Sequence, residues 1–190
     1  MDARRWTAGL LAAVTATVAL TACSSDGEAG CASEAGMVQC APDERGDAPT
    51  IAGELLTGGR YDVAAQRGQV VVVNFWGSWC APCRAEADDL EATYQATRGS
   101  GVTFLGINVQ DSRDKAIAFE EGRVTYPSIF DPASRLALAL DIPPNSIPAT
   151  VVLDRDGRIA TVIRAAVTRD DLQPIVERVA AESAPPTGER

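Results

Sequence analysis

Seven consecutive residues, Val70-Val71-Val72-Val73-Asn74-Phe75-Trp76, constrain this chain more than any other segment. The run is rich in β-branched and aromatic residues, and it is too short for a membrane span. Continuous apolarity, rather than alternation, marks a strand covered on both faces of its sheet. Such a strand needs further layers on each side, which sets the fold class as α/β with a central sheet covered by helices.

The flanking sequence supplies those layers. Ile51 to Leu55 and the Gly58-Gly59 turn suggest an N-terminal β-hairpin. Ala81 to about Arg98 has helical composition and is stopped by Gly99-Ser100-Gly101. Val102 to Val109 predicts a second buried strand, and Ser112 to Glu121 a helix ended by Gly122. Tyr126 to Phe130 predicts a short strand and Ser134 to Leu140 a short helix. Ala149 to Leu153 and Arg158 to Ile163 read as strands joined by the turn Asp154-Arg155-Asp156-Gly157. Thr168 is placed to cap a last helix running to about Glu182.

The chemistry sits where the apolar strand gives way to the first helix, at Gly77-Ser78-Trp79-Cys80-Ala81-Pro82-Cys83. Unpaired amides and the macrodipole at a helix N-terminus favour a thiolate, so Cys80 is the expected nucleophile. Cys83 lies one turn on, where it can attack a mixed disulfide on Cys80 and release a bound partner. Pro82 falls in the first turn, where a missing N–H costs nothing. A zinc half-site would need two further ligands, and the chain has no histidine and no second Cys-x-x-Cys, so no metal is expected.

The lack of histidine also excludes a Ser-His-Asp triad and a Cys-His nucleophile pair. The 190 residues carry a formal charge of -9, which argues against a nucleic-acid partner. Lys115 is the only lysine; all other basic side chains are arginine. Five cysteines leave an odd thiol to explain.

The N-terminus offers an explanation. Arg4 and Arg5 precede an uncharged stretch from Trp6 to Leu20, and Leu20-Thr21-Ala22-Cys23 follows. This is the layout of a secretory signal. Leu-Thr-Ala-Cys resembles a bacterial lipobox, which implies a signal peptide over 1–22 and lipidation of Cys23. An uncleaved membrane anchor is the alternative, and either places the rest outside the cytoplasm. Residues 23–47 are rich in Gly, Ala, Ser, Glu and Asp and read as a flexible spacer. Cys31 and Cys40 lie within it. A mutual structural disulfide is expected in an oxidising compartment, the alternatives being free thiols, a partner disulfide or a second redox pair. Residues 48–182 are then the domain and 183–190 a frayed tail.

Phe75-Trp76-Gly77-Ser78-Trp79-Cys80-Ala81-Pro82-Cys83 resembles the active-site segment of the thioredoxin superfamily. More closely it resembles the TlpA/ResA group of membrane-anchored, extracytoplasmic thiol-disulfide oxidoreductases. Ser146-Ile147-Pro148-Ala149-Thr150 matches that family's cis-proline segment before a core strand. The resemblance spans about residues 48–182. It implies a thioredoxin-like fold with a central mixed sheet and an insert over about Asp111–Leu140. It also implies that Pro148 faces the cysteines and that the Ile147 backbone binds a polypeptide. Asn74 stands where thioredoxin itself has a buried aspartate. The TlpA/ResA pattern instead has a glutamate three residues after the second cysteine, and Glu86 fits it. Cys83 and Glu86 share a helix face at that spacing, so Glu86 could exchange protons with the thiols. Trp79 is expected to wall the approach to Cys80; Trp76 could equally be packing.

The resemblance therefore implies a monomeric protein thiol-disulfide oxidoreductase whose only redox group is the Cys80–Cys83 disulfide. A reductant of exported proteins is expected, with apocytochrome c as the implied target and a membrane thiol carrier as electron donor. A disulfide-forming oxidase is the alternative, and Ala81-Pro82 does not decide between them. A peroxiredoxin-type peroxidase fits the Cys-x-x-Cys and cis-proline pattern less well. A non-catalytic or copper-carrying module lacks the histidine it would use.

Overall fold

The computed structural model describes residues 30–143 and 145–182. The expected signal peptide, the lipidation site Cys23, Pro144 and the tail lie outside the described residues.

The described residues form nine strands: β1 (Ala32–Glu34), β2 (Met37–Gln39), β3 (Ala52–Glu54), β4 (Arg60–Asp62), β5 (Val70–Trp76), β6 (Val102–Val109), β7 (Ser128–Asp131), β8 (Ala149–Leu153) and β9 (Ile159–Ile163). Four α-helices accompany them: α1 (Ala81–Thr97), α2 (Arg113–Glu120), α3 (Arg135–Ala139) and α4 (Arg169–Ala181). Seven strands make one mixed sheet in the order β1-β2-β9-β8-β5-β6-β7, and β3 and β4 form a separate hairpin. β5, β6 and β7 run parallel; on the other side of β5, β8 pairs antiparallel with β5 and β9 pairs antiparallel with β8.

β5 is central, and all seven of its residues are buried. Its side chains alternate between two cores, as strand geometry requires. Val71, Val73 and Phe75 join Leu105, Ile107, Val151 and Ile142 on one face. Val70 and Val72 join Phe104, Leu90 of α1, and Leu172 and Val176 of α4 on the other. The apolar run thus reads as continuous because each alternate residue meets a different layer. The last helix begins as expected, with Thr168 Oγ1 accepting from Asp171 N–H.

One expectation is corrected. Residues 31–47 are not a free spacer but part of the domain. β1 and β2 form a hairpin closed by a Cys31–Cys40 disulfide, and β2 pairs antiparallel with β9. Arg45 follows the hairpin and is buried, its guanidinium bonding Glu182 at 2.5 and 2.8 Å and Asp154 at 3.3 Å. These residues lack an apolar pattern because every residue of β1 is exposed. Cross-linking, sheet pairing and a buried ion pair hold the segment instead.

Gly106 on β6 is fixed by its neighbours across the sheet. A Cβ there would lie 2.0 Å from Ser128 Oγ and 2.9 Å from Trp76 Nε1. Gly106→Ala is expected to cost roughly 1–3 kcal/mol of stability through overpacking. It should appear as a lower urea midpoint with an unchanged slope.

Candidate active site

Cys80 caps α1. Its backbone is extended, with φ -84° and ψ 107°, and its Sγ accepts from Cys83 N–H at 3.3 Å. Cys80 and Cys83 are joined as a disulfide, and both are nearly buried. Pro82 sits in the first turn, as its ring geometry favours. The sulfur of Cys80 therefore points at the helix N-terminus, where a developing thiolate is stabilised.

Across from it, Ile147 O lies 3.9 Å from Cys80 Sγ. The Ile147–Pro148 peptide is cis, and Pro148 is buried at the start of β8. The two segments that sequence reasoning singled out, 68 positions apart at Cys80 and Pro148, meet here. Trp79 stands at the entrance, 52% exposed, with its Nε1 donating to Val109 O at 3.4 Å. Gly77 makes room for that indole, since a Cβ there would lie 2.6 Å from Trp79 Nε1.

Glu86 lies one turn beyond Cys83 on α1 and is 2% exposed. Its Oε1 accepts from Asn74 Nδ2 at 2.9 Å and its Oε2 from Val167 N–H at 2.9 Å. Asn74 Nδ2 also donates to Thr150 Oγ1 at 3.1 Å. Burial pushes the Glu86 carboxyl up to about 7, against the pull of the bonds from Val167 and Asn74. Asn74 cannot carry the proton that an aspartate would carry, but it holds the group that can. A strand amide thus donates to a buried carboxyl on the helix.

Two residues beyond the sequence reading also shape this region. Asp111 binds the active-site loop, accepting from Ser78 N–H at 2.6 Å, Ser78 Oγ at 2.9 Å, Asn108 Nδ2 at 3.1 Å and Ser112 N–H at 2.9 Å. Burial raises its carboxyl, but these bonds outweigh it and hold the group below its ordinary value. Glu120, at the end of α2, accepts from Ser128 Oγ, and burial lifts it to about 7. Ser128 Oγ accepts in turn from Trp76 Nε1 at 3.3 Å, and Trp76 packs on Phe119 at 5.4 Å, so Trp76 is a packing residue. Glu120 and Cys83 line one small internal cavity of about 10 Å³. No sequence pattern marks either acid, because each acts through contacts between elements distant in the chain.

Residues 45–162 match the profile of the AhpC/TSA family. The chain belongs to that family. HelX, a thiol:disulfide interchange protein of Rhodobacter capsulatus, is 33% identical over 125 residues, or 65% of this chain and 68% of HelX. The thiol-disulfide oxidoreductase ResA of Bacillus subtilis is 29% identical over 126 residues, covering 66% of this chain and 69% of ResA. Among solved structures, a secreted thiol-disulfide isomerase from Corynebacterium glutamicum superposes with a TM-score of 0.74 at 36% identity. That match covers 84% of this chain and 96% of the isomerase. A DsbF homologue from Corynebacterium diphtheriae gives 0.72 at 37% identity over 76% and 93%. This AhpC/TSA-family chain is thus a thiol-disulfide oxidoreductase of the ResA/HelX kind with a thioredoxin-like fold. No helix among the described residues is long and apolar enough to cross a membrane.

Proposed function

We propose that the protein reduces disulfides in extracytoplasmic polypeptides from a lipid anchor at Cys23. The observation that carries this reading is the Cys80–Cys83 disulfide, set at the N-terminus of α1 opposite Ile147 O with Glu86 buried behind it. Cys80 thiolate attacks one sulfur of a target disulfide, and the target's other sulfur leaves as a thiolate. Cys83 then gives its proton to Glu86 and attacks the Cys80 sulfur. The Cys80–Cys83 disulfide forms, the second target sulfur leaves as a thiolate, and two electrons have passed to the target. Trp79 and the Ile147–Pro148 edge hold the incoming chain. Apocytochrome c is the proposed target, since its two haem-binding cysteines must be reduced. A membrane thiol carrier restores the dithiol.

The oxidant direction is the second reading. The same two exchange steps run in reverse would form a disulfide in the target. The reduction potential separates the two. A value close to that of thioredoxin, about -270 mV, is expected; one near a strong oxidase, about -120 mV, would reverse the direction. The target follows from Cys83→Ser, which should freeze the mixed disulfide on Cys80 and retain the bound polypeptide for identification.

A further inference from the structure

A solvent-open cavity of about 500 Å³ adjoins the active-site loop, between that loop and α2. Trp79 forms part of its wall, and Trp79 precedes Cys80 directly. A polypeptide bonded to Cys80 therefore carries its neighbouring residues across this cavity, at about 3.5 Å per residue.

The lining is at odds with the chain as a whole. The protein has 26 acidic and 17 basic residues, yet Arg84, Lys115 and Arg123 converge here with Glu121 as the one acid of the lining. Phe119 forms the floor and carries two guanidiniums, Arg84 Cζ at 5.4 Å and Arg123 Cζ at 4.8 Å from its ring centre. The ring attracts each cation, but each repels the other. Arg123 is partly neutralised by Asp88 at 3.1 Å, a pair that is largely exposed. Arg84 spends one N–H on Ser78 O at 3.4 Å. Lys115 makes no ion pair among the described residues. An anion entering the cavity would relieve the repulsion and meet N–H donors from three side chains.

We propose that this cavity is a subsite for acidic side chains in the target polypeptide, next to the cysteine that Cys80 attacks. The subsite extends the oxidoreductase activity to a substrate preference: Asp or Glu within about three residues of the reacting cysteine. Two or three local cations act at short range even on a protein whose overall charge repels acids. Their benefit appears in the encounter rate and fades as salt screens it.

The test uses the full chain in detergent, its Cys80–Cys83 pair reduced beforehand. It is mixed with model peptides that each contain one disulfide, flanked by Asp-Glu or by the isosteric Asn-Gln. The readout is the ratio of the two rate constants, so any loss of active protein cancels. The acidic peptide is expected to react about tenfold faster at about 0.02 M salt, with the ratio shrinking toward one at about 0.5 M. Lys115→Glu should bring the ratio below one. Arg98→Glu, which makes the same change in net charge at the far end of α1, should leave the ratio as in the wild type. Equal rates for the two peptides, or an equal fall in the ratio for Lys115→Glu and Arg98→Glu, would overturn the subsite. Neither result would touch the exchange activity itself, which the neutral peptide reports separately.

Discussion

Cys80→Ser is expected to lower the rate of protein disulfide reduction by about 10⁴-fold, to the uncatalysed background. An insulin-type turbidity assay with excess dithiol would measure it. The size of the loss follows from the site. A serine hydroxyl keeps its proton where a capped thiol releases one, and the oxygen cannot form the mixed disulfide at all. The Cys83 N–H that bonds Cys80 Sγ at 3.3 Å is placed to stabilise a thiolate there once the disulfide is reduced. Cys83→Ser should behave differently, still forming the first covalent bond and failing only at release. A Cys80→Ser protein that kept a tenth of the wild-type rate would mean that Cys83 makes the first attack.

Glu86→Gln is expected to slow release of the mixed disulfide by about 10²-fold and to remove an inflection near pH 7 from its rate profile. Glutamine keeps the shape of the side chain. Asn74 can turn its amide so that its oxygen faces the new NH₂, and Thr150 can reverse its bond. The variant therefore separates proton transfer from packing. The sign of the stability change is also fixed. Burial lifts the Glu86 carboxyl from 4.5 to about 7 in the folded protein, with Asp89 adding to the rise. Between those values the folded chain holds a proton that the unfolded chain has released. Stability from this group is therefore full below about pH 4.5, falls as pH rises to about 7, and is flat above. At about 1.4 kcal/mol per pH unit the loss is of order 3 kcal/mol. Denaturant melts at pH 5 and pH 8 should show Glu86→Gln losing less stability than the wild type over that interval. Parallel losses would remove Glu86 from the titrating set.

Local signals carried most of the fold. The apolar run became β5, the Asp154–Gly157 turn joined β8 to β9, and Thr168 capped α4. The cysteines and the cis-proline were legible because their spacing and flanks are distinctive. The Glu86 position was legible from helix period, but its partners were not. Asn74 is 12 residues away and Val167 is 81 residues away, and nothing local says they converge. Asp111 was invisible for the same reason, reaching Ser78 from another strand end. The β1–β2 hairpin was missed on different grounds. Its composition is that of a linker, and it is a cross-link and a neighbouring strand that make it part of the sheet.

That hairpin changes what the sheet offers to other chains. A strand with free N–H and C=O groups is a template on which an unfolded neighbour can grow. β9 would be such a border, but β2 occupies it, and the new border β1 is three exposed residues ending in Glu34. On the opposite side β7 is bridged at Leu55–Ile129, and Leu56 N–H bonds Ser128 O at 2.8 Å. One border is bridged and the other is short and polar, so neither offers a long template strand. A protein disulfide can therefore be met at Cys80 without a long free strand nearby on which its chain could add.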